Sequence, residues 1–185
     1  MIKAIATIFS PILMFKPIRR IRRNHGLEHA TVHMMAKHVK ELKINGGRAV
    51  LDGFYIYGQA ETEDIRKSVE EAIERMRNGE HGLAVHPNCG TGLVTTGLMT
   101  TFAALLGSVG ANGNWQERLN RIPTMLVLSV LAIIISQPTG LALQKYITTL
   151  GDVGDLEVVQ ISRHEMRLPF AKKPLIVHRI WTRAG

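Results

Sequence analysis

The chain has 185 residues, a formal net charge of +8, a pI near 10.0 and one cysteine. That length suits one domain, or a small domain joined to a membrane element. A single cysteine excludes an internal disulfide and fits a site facing a reducing compartment, while the basic balance leaves nucleic acid or an anionic membrane surface as partners.

Residues 1–15 are apolar apart from Lys3 near the start. They do not read as a signal peptide, because Pro11 breaks the run and Lys16-Pro17-Ile18-Arg19-Arg20 follows in place of a small-residue cleavage site. The segment is also short for a spanning helix. Residues 1–23 are therefore expected to form a membrane-surface or re-entrant anchor, with the cluster Lys16, Arg19, Arg20, Arg22 and Arg23 resting on anionic headgroups.

Asn24 is a good N-cap for a helix over residues 25–42, stopped by Asn45-Gly46-Gly47. At 100° per residue, His25, Glu28, His29, Val32, Met35, Ala36 and Val39 share one face. Residues 48–57 read as a hairpin turning at Asp52-Gly53. Residues 61–77 form an amphipathic helix with the stripe Ile65, Val69, Ile73 and Met76, closed by Asn78-Gly79.

Two long uncharged stretches follow. Residues 91–111 are rich in Gly and Thr, and residues 122–144 are more strongly apolar. Each has the length a helix needs to cross a hydrocarbon core of roughly 30 Å, so the pair is expected to be a transmembrane hairpin within residues 91–144. Ala103, Gly107 and Ala111 form a small-residue stripe for close helix packing, and Pro138 is expected to kink or end the second span. The basic residues lie mainly before and after the spans, which predicts that both termini are cytoplasmic. Trp115, in a loop over residues 112–121, would anchor the outer interface. Nucleic-acid binding is disfavoured, because the basic residues flank the spans and do not alternate with aromatics. Within residues 145–185, 156–161 and 175–182 are strand-like, joined by a turn region over residues 168–174.

The chemistry concentrates in two motifs. His25-Gly26-Leu27-Glu28-His29 places two imidazoles one helical turn apart with a carboxylate between them, the His-x-x-Glu-His pattern of inverted zinc-peptidase helices. His86-Pro87-Asn88-Cys89-Gly90 offers an imidazole and a thiol at the mouth of the first span, where the helix dipole favours thiolate. Zn²⁺ prefers these donors in tetrahedral sets. With His25, His29 and either His86 or Cys89 as ligands, one position stays open for water and Glu28 can act as general base. With both His86 and Cys89 bound, the site is closed and structural. His33 lies one turn beyond His29 and makes a rival pair with it; a nucleophilic Cys89 has no supporting motif.

The two motifs, His25-Gly26-Leu27-Glu28-His29-Ala30-Thr31 and His86-Pro87-Asn88-Cys89-Gly90-Thr91, followed directly by an apolar span, resemble a group of uncharacterised bacterial membrane proteins. These include the YqhQ-like proteins, described as predicted metal-dependent enzymes, and a related domain of unknown function found in cyanobacteria and other bacteria. The resemblance covers residues 24–110 and implies a membrane location and a shared site at His25, Glu28, His29, His86 and Cys89. It supplies no activity. Inverted-motif peptidases take a further ligand from a distant downstream Glu, which the apolar first span does not offer.

The fold expected is α+β: a small cytoplasmic helix and hairpin domain (residues 24–90) with C-terminal cytoplasmic strands and a two-helix transmembrane hairpin in the inner membrane. The expected function is a zinc-dependent membrane hydrolase acting on a peptide or membrane protein. The alternative is a non-enzymatic membrane scaffold or partner-binding protein built around a structural metal or polar cluster.

Overall fold

The structure is a computed structural model that describes residues 1–39, 43–110, 113–167 and 174–185, with only the backbone of Lys43. It is α+β, with two compact units: Met1–His86 together with Gln144–Gly185, and Pro87–Leu143.

The first unit opens with two short helices, α1 (Ile2–Ile8) and α2 (Ser10–Leu13), that leave Ile8, Phe9, Ile12 and Phe15 exposed. Helix α3 (Lys16–His38) follows, with Pro17 in its first turn where the missing N–H is no loss. The helix therefore starts well before Asn24, and the expected N-cap is corrected: nothing between Ile18 and Arg23 breaks a helix, and the Asn24 side chain has other work. Its Nδ2 donates to the Val50 and Leu51 carbonyls at 2.8 and 3.2 Å, and its Oδ1 accepts from Thr182 Oγ1 at 2.9 Å. At its far end α3 stops at His38, with Val39 already extended; residues 40–42, where the helix was expected to continue, lie outside the described residues.

Asn45-Gly46-Gly47 do not stop a helix but belong to β1 (Lys43–Val50), which pairs with β2 (Gly53–Gln59) through a bulge between Ile44 and Gly46. Val50 pairs with Gly53, so the turn is Leu51-Asp52, one residue earlier than expected. Helix α4 (Thr62–Arg77) matches its sequence signal, and Ile65, Val69, Ala72 and Met76 are buried along it. The last strands, β3 (Glu157–Met166) and β4 (Leu175–Arg183), complete an antiparallel sheet of order β1-β2-β4-β3. Of the turn expected between them, only Pro174 is described.

One face of the sheet meets α3 and α4. Leu27, Ala30, Met34 and Met35 of α3 join the α4 stripe, Phe54 and Ile56 of β2, and Ile180 of β4 in one core. Each such fully buried large side chain contributes about 1.5–3 kcal/mol. Arg22 and Arg23, expected at headgroups, are turned inward instead. Arg22 donates to the carbonyls of Leu13, Tyr146 and Thr149, and Arg23 pairs with Asp152 and Asp155. Burial lowers the Arg22 guanidinium from its ordinary range.

The second unit is a pair of helices, α5 (Gly90–Gly107) and α6 (Trp115–Leu143). Both are long and apolar enough to cross a membrane, with mean hydropathies of 1.3 and 2.0 over their most apolar windows. Trp115 and the residues up to Arg121, expected in a loop, are the first turns of α6, which the Asn114 side chain opens by accepting from the Gln116 N–H. Pro138 does not end the helix, which runs on to Leu143. The helices pack through small residues: a Cβ on Gly140 would stand 3.0 Å from Gly92 Cα, and one on Gly107 would stand 2.8 Å from Met125 Cα. Thr96 and Ser136 hydrogen-bond across the pair at 2.7 Å. Of the expected stripe, Gly107 lies in this contact, Ala103 is half-buried, and Ala111 is outside the described residues.

Candidate metal centre

The middle of α3 carries the site. Gly26 is pressed against the segment after the π-helical turn Gln144–Thr148: a Cβ there would come within 2.5 Å of the Leu150 carbonyl oxygen and 3.1 Å of Ala84 Cβ. The Leu150 N–H donates to the Arg22 carbonyl at 2.9 Å, and Arg22 holds the Tyr146 and Thr149 carbonyls. These bonds fix residues 146–150 along α3 beside the first histidine.

His25 Nδ1 donates to the Thr148 carbonyl at 3.0 Å, and His29 Nδ1 donates to the Ala84 carbonyl at 2.8 Å. A carbonyl cannot donate, so each Nδ1 carries the proton, and Nε2 is the nitrogen through which either ring would bind a metal. The two rings meet edge to face with centroids 4.5 Å apart. His29 is 3% exposed and His25 half-buried.

His86 belongs to the same neighbourhood, its ring 5.9 Å from that of His29 and 4.8 Å from that of His33. Its backbone N–H donates to the Gln144 side-chain carbonyl at 3.0 Å. Burial pushes the His86 imidazole below its ordinary range, with the His33 charge acting the same way, and a neutral imidazole is the ligand form. His33 donates its own Nε2 proton to the Val85 carbonyl at 2.9 Å. Nε2 of His33 is thereby committed to a carbonyl, so Nδ1 is the nitrogen it would offer, and the rival pairing with His29 stays open.

Glu28 is 6% exposed, with its carboxylate against the backbone of β1 at Gly47. Cys89 follows His86 by three residues and is the N-cap of α5, its Sγ accepting from the Thr91 N–H at 3.4 Å. In the first unit His25 and His29 stand together as donors that could hold a metal ion, while Cys89 belongs to the second unit.

Sequence reasoning missed four parts of this surrounding: the Thr148 and Ala84 carbonyls, Gln144 and Gly47. A backbone carbonyl leaves no mark in a residue pattern. Gly47 did carry a signal, since glycine inside a strand often marks a close backbone approach.

A protein-family model described as "Domain of unknown function (DUF6391)" matches residues 20–161, and the chain belongs to that family. An uncharacterised protein of Picosynechococcus sp. (strain ATCC 27264 / PCC 7002 / PR-6) is 32% identical over 143 residues, 70% of this chain. The match spans 65% of that relative's length. No solved structure matches the chain.

Proposed function

We propose that this protein is a zinc-dependent hydrolase of the bacterial inner membrane, with α5 and α6 as its transmembrane hairpin and both termini cytoplasmic. The observation that carries the reading is the pair of bonds from His25 Nδ1 to Thr148 and from His29 Nδ1 to Ala84, which direct two Nε2 atoms one helical turn apart on α3, the helix that also carries Glu28. His86 or Cys89 would supply a third donor. Zinc held there would supply Lewis-acid chemistry for activating water. Glu28 would serve as general base toward the attacking water and hold the proton that the leaving amine takes. A peptide or membrane-protein substrate fits this chemistry.

The membrane reading is supported by the exposed apolar surface of α5 and α6, including Leu93, Leu98, Phe102, Leu126 and Ile134. Lys3, Lys16 and Arg19, beside exposed Ile8, Phe9 and Phe15, are suited to an interface with anionic headgroups.

Metal content of detergent-purified protein tests the proposal. About one zinc per chain is expected in the wild type and in Glu28→Gln, and little in His29→Ala. A wild type without metal after zinc-supplemented expression would sink it. The burial of Cys89 favours a second reading, a closed structural site with four protein donors. Zinc lost in both His86→Ala and Cys89→Ala as completely as in His29→Ala supports that scaffold; zinc retained in either one supports the open, catalytic site with the other residue as third donor.

A further inference from the structure

We infer that Gly47 is a positioning residue for Glu28: the backbone of edge strand β1 seats the carboxylate, and the seat exists because residue 47 has no side chain. Calling Glu28 a base rests on the hydrolase reading above; the seat itself does not.

Strand β1 stands at one end of the sheet and packs on α3. Gly47 pairs with Ile56, which is fully buried in the core on the helix side. Paired residues in an antiparallel ladder share a face, so a side chain at 47 would point toward α3. A Cβ built there would overlap Glu28 Oε1 and stand 2.5 Å from its Cδ and 3.0 Å from its Cγ. Ordinary carbon contacts begin at about 3.5 Å. Three atoms of one side chain therefore occupy the volume that any other residue at 47 needs.

The preceding bulge decides which glycine takes this place. A bulge inserts one residue and shifts the alternation of faces beyond it. With the irregularity between Ile44 and Gly46, Gly46 pairs with Tyr57, and a Cβ there would meet nothing within 4 Å. Gly47 takes the inward position. Gly47 is itself exposed while Glu28 is 6% exposed, so the carboxylate lies shallowly beneath strand backbone. That suits a group which must stay put yet reach a proton, because a displacement of about 1 Å costs a reaction on the order of a hundredfold.

A double-mutant cycle tests the seat. Wild type, Gly47→Ala, Glu28→Ala and the double variant are purified as full chains in detergent and melted in excess chelator, so that no result depends on metal. Gly47→Ala is expected to lower the melting temperature by roughly 2–8 °C when Glu28 is present. In the Glu28→Ala background the same change is expected to cost less than about 1 °C, or to stabilise. Glu28→Asp, one methylene shorter, is expected to rescue most of the loss. Should Gly47→Ala not accumulate, recovery of folded Gly47→Ala/Glu28→Ala supports the seat equally. An equal loss in both backgrounds, or none in either, overturns the inference. Zinc content is read separately, so failure of the seat and failure of the hydrolase reading are distinguishable.

Discussion

The two nitrogens of an imidazole stop being equivalent once one of them is committed to a carbonyl. At His25 and His29 that commitment comes from Thr148 and Ala84, residues far from α3 in the chain. The nitrogens left to face a metal are thus chosen, in the proposed site, by backbone groups that no substitution removes; only moving the backbone would do so. Asn24 acts the opposite way, through its side chain alone. It gathers the turn after β1 and the end of β4 onto α3 with three hydrogen bonds. Asn24→Ala leaves the Val50 carbonyl and the buried Thr182 hydroxyl without this partner and is expected to cost about 1–3 kcal/mol, read as a melting temperature lower by roughly 2–12 °C. His178 gives a pH signature. It is fully buried, its Nε2 bonded to Thr62 Oγ1 at 3.1 Å, and burial lowers its pKa, with Arg163 acting the same way and Glu61 opposing. The unfolded chain therefore takes the proton first, near pH 6.5, so stability is full above that pH and falls as pH drops through it toward the lower folded value. Melting curves between pH 8 and pH 5 should show this fall, and His178→Gln should flatten it.

Elements differ in how openly their sequences declare them. Helix α4 is legible because its stripe, first-turn acids and closing Asn78-Gly79 all agree. Helix α3 is legible in its middle, where the histidines lie, and misleading at both ends. Asn24 looks like a cap when read locally, but a helix can run through Asn whenever its amide finds partners elsewhere. Gly46-Gly47 looks like a stop, but glycine is also what a strand needs where another group approaches its backbone. Both errors have one cause: tertiary contacts, invisible in local sequence, took residues whose usual role is punctuation. The histidines of the candidate site were legible because they are side chains in a pattern; the carbonyls to which they hydrogen-bond were not. In the α5–α6 pair the consequence of close packing is direct. Gly140→Leu would drive a branched side chain into Gly92, and should lower the melting temperature in detergent far more than Thr96→Val, whose interhelical hydrogen bond is worth about 0.6 kcal/mol.

At the scale of the whole molecule, the proposed orientation makes a simple demand. Gly113, between α5 and α6, must face the side opposite the termini. A cysteine placed at Gly113 should react with a membrane-impermeant thiol reagent added to intact spheroplasts, whereas one placed at Gly185 should react only after lysis. The reverse pattern would refute the topology without touching the metal site. Buried Cys89 should stay silent in both. The order of the sheet has a further consequence, for synthesis. Strand β4 is the last element of the chain, yet it lies between β2 and β3. While the ribosome makes the apolar residues 87–143, β2 waits with one edge unpaired and α3 without the carbonyl of Thr148. Neither gap is filled until the closing stretch emerges, so a nascent chain cut short before residue 144 would expose a strand edge and an unfinished histidine cluster together. Quality-control proteases could recognise such a chain by either mark.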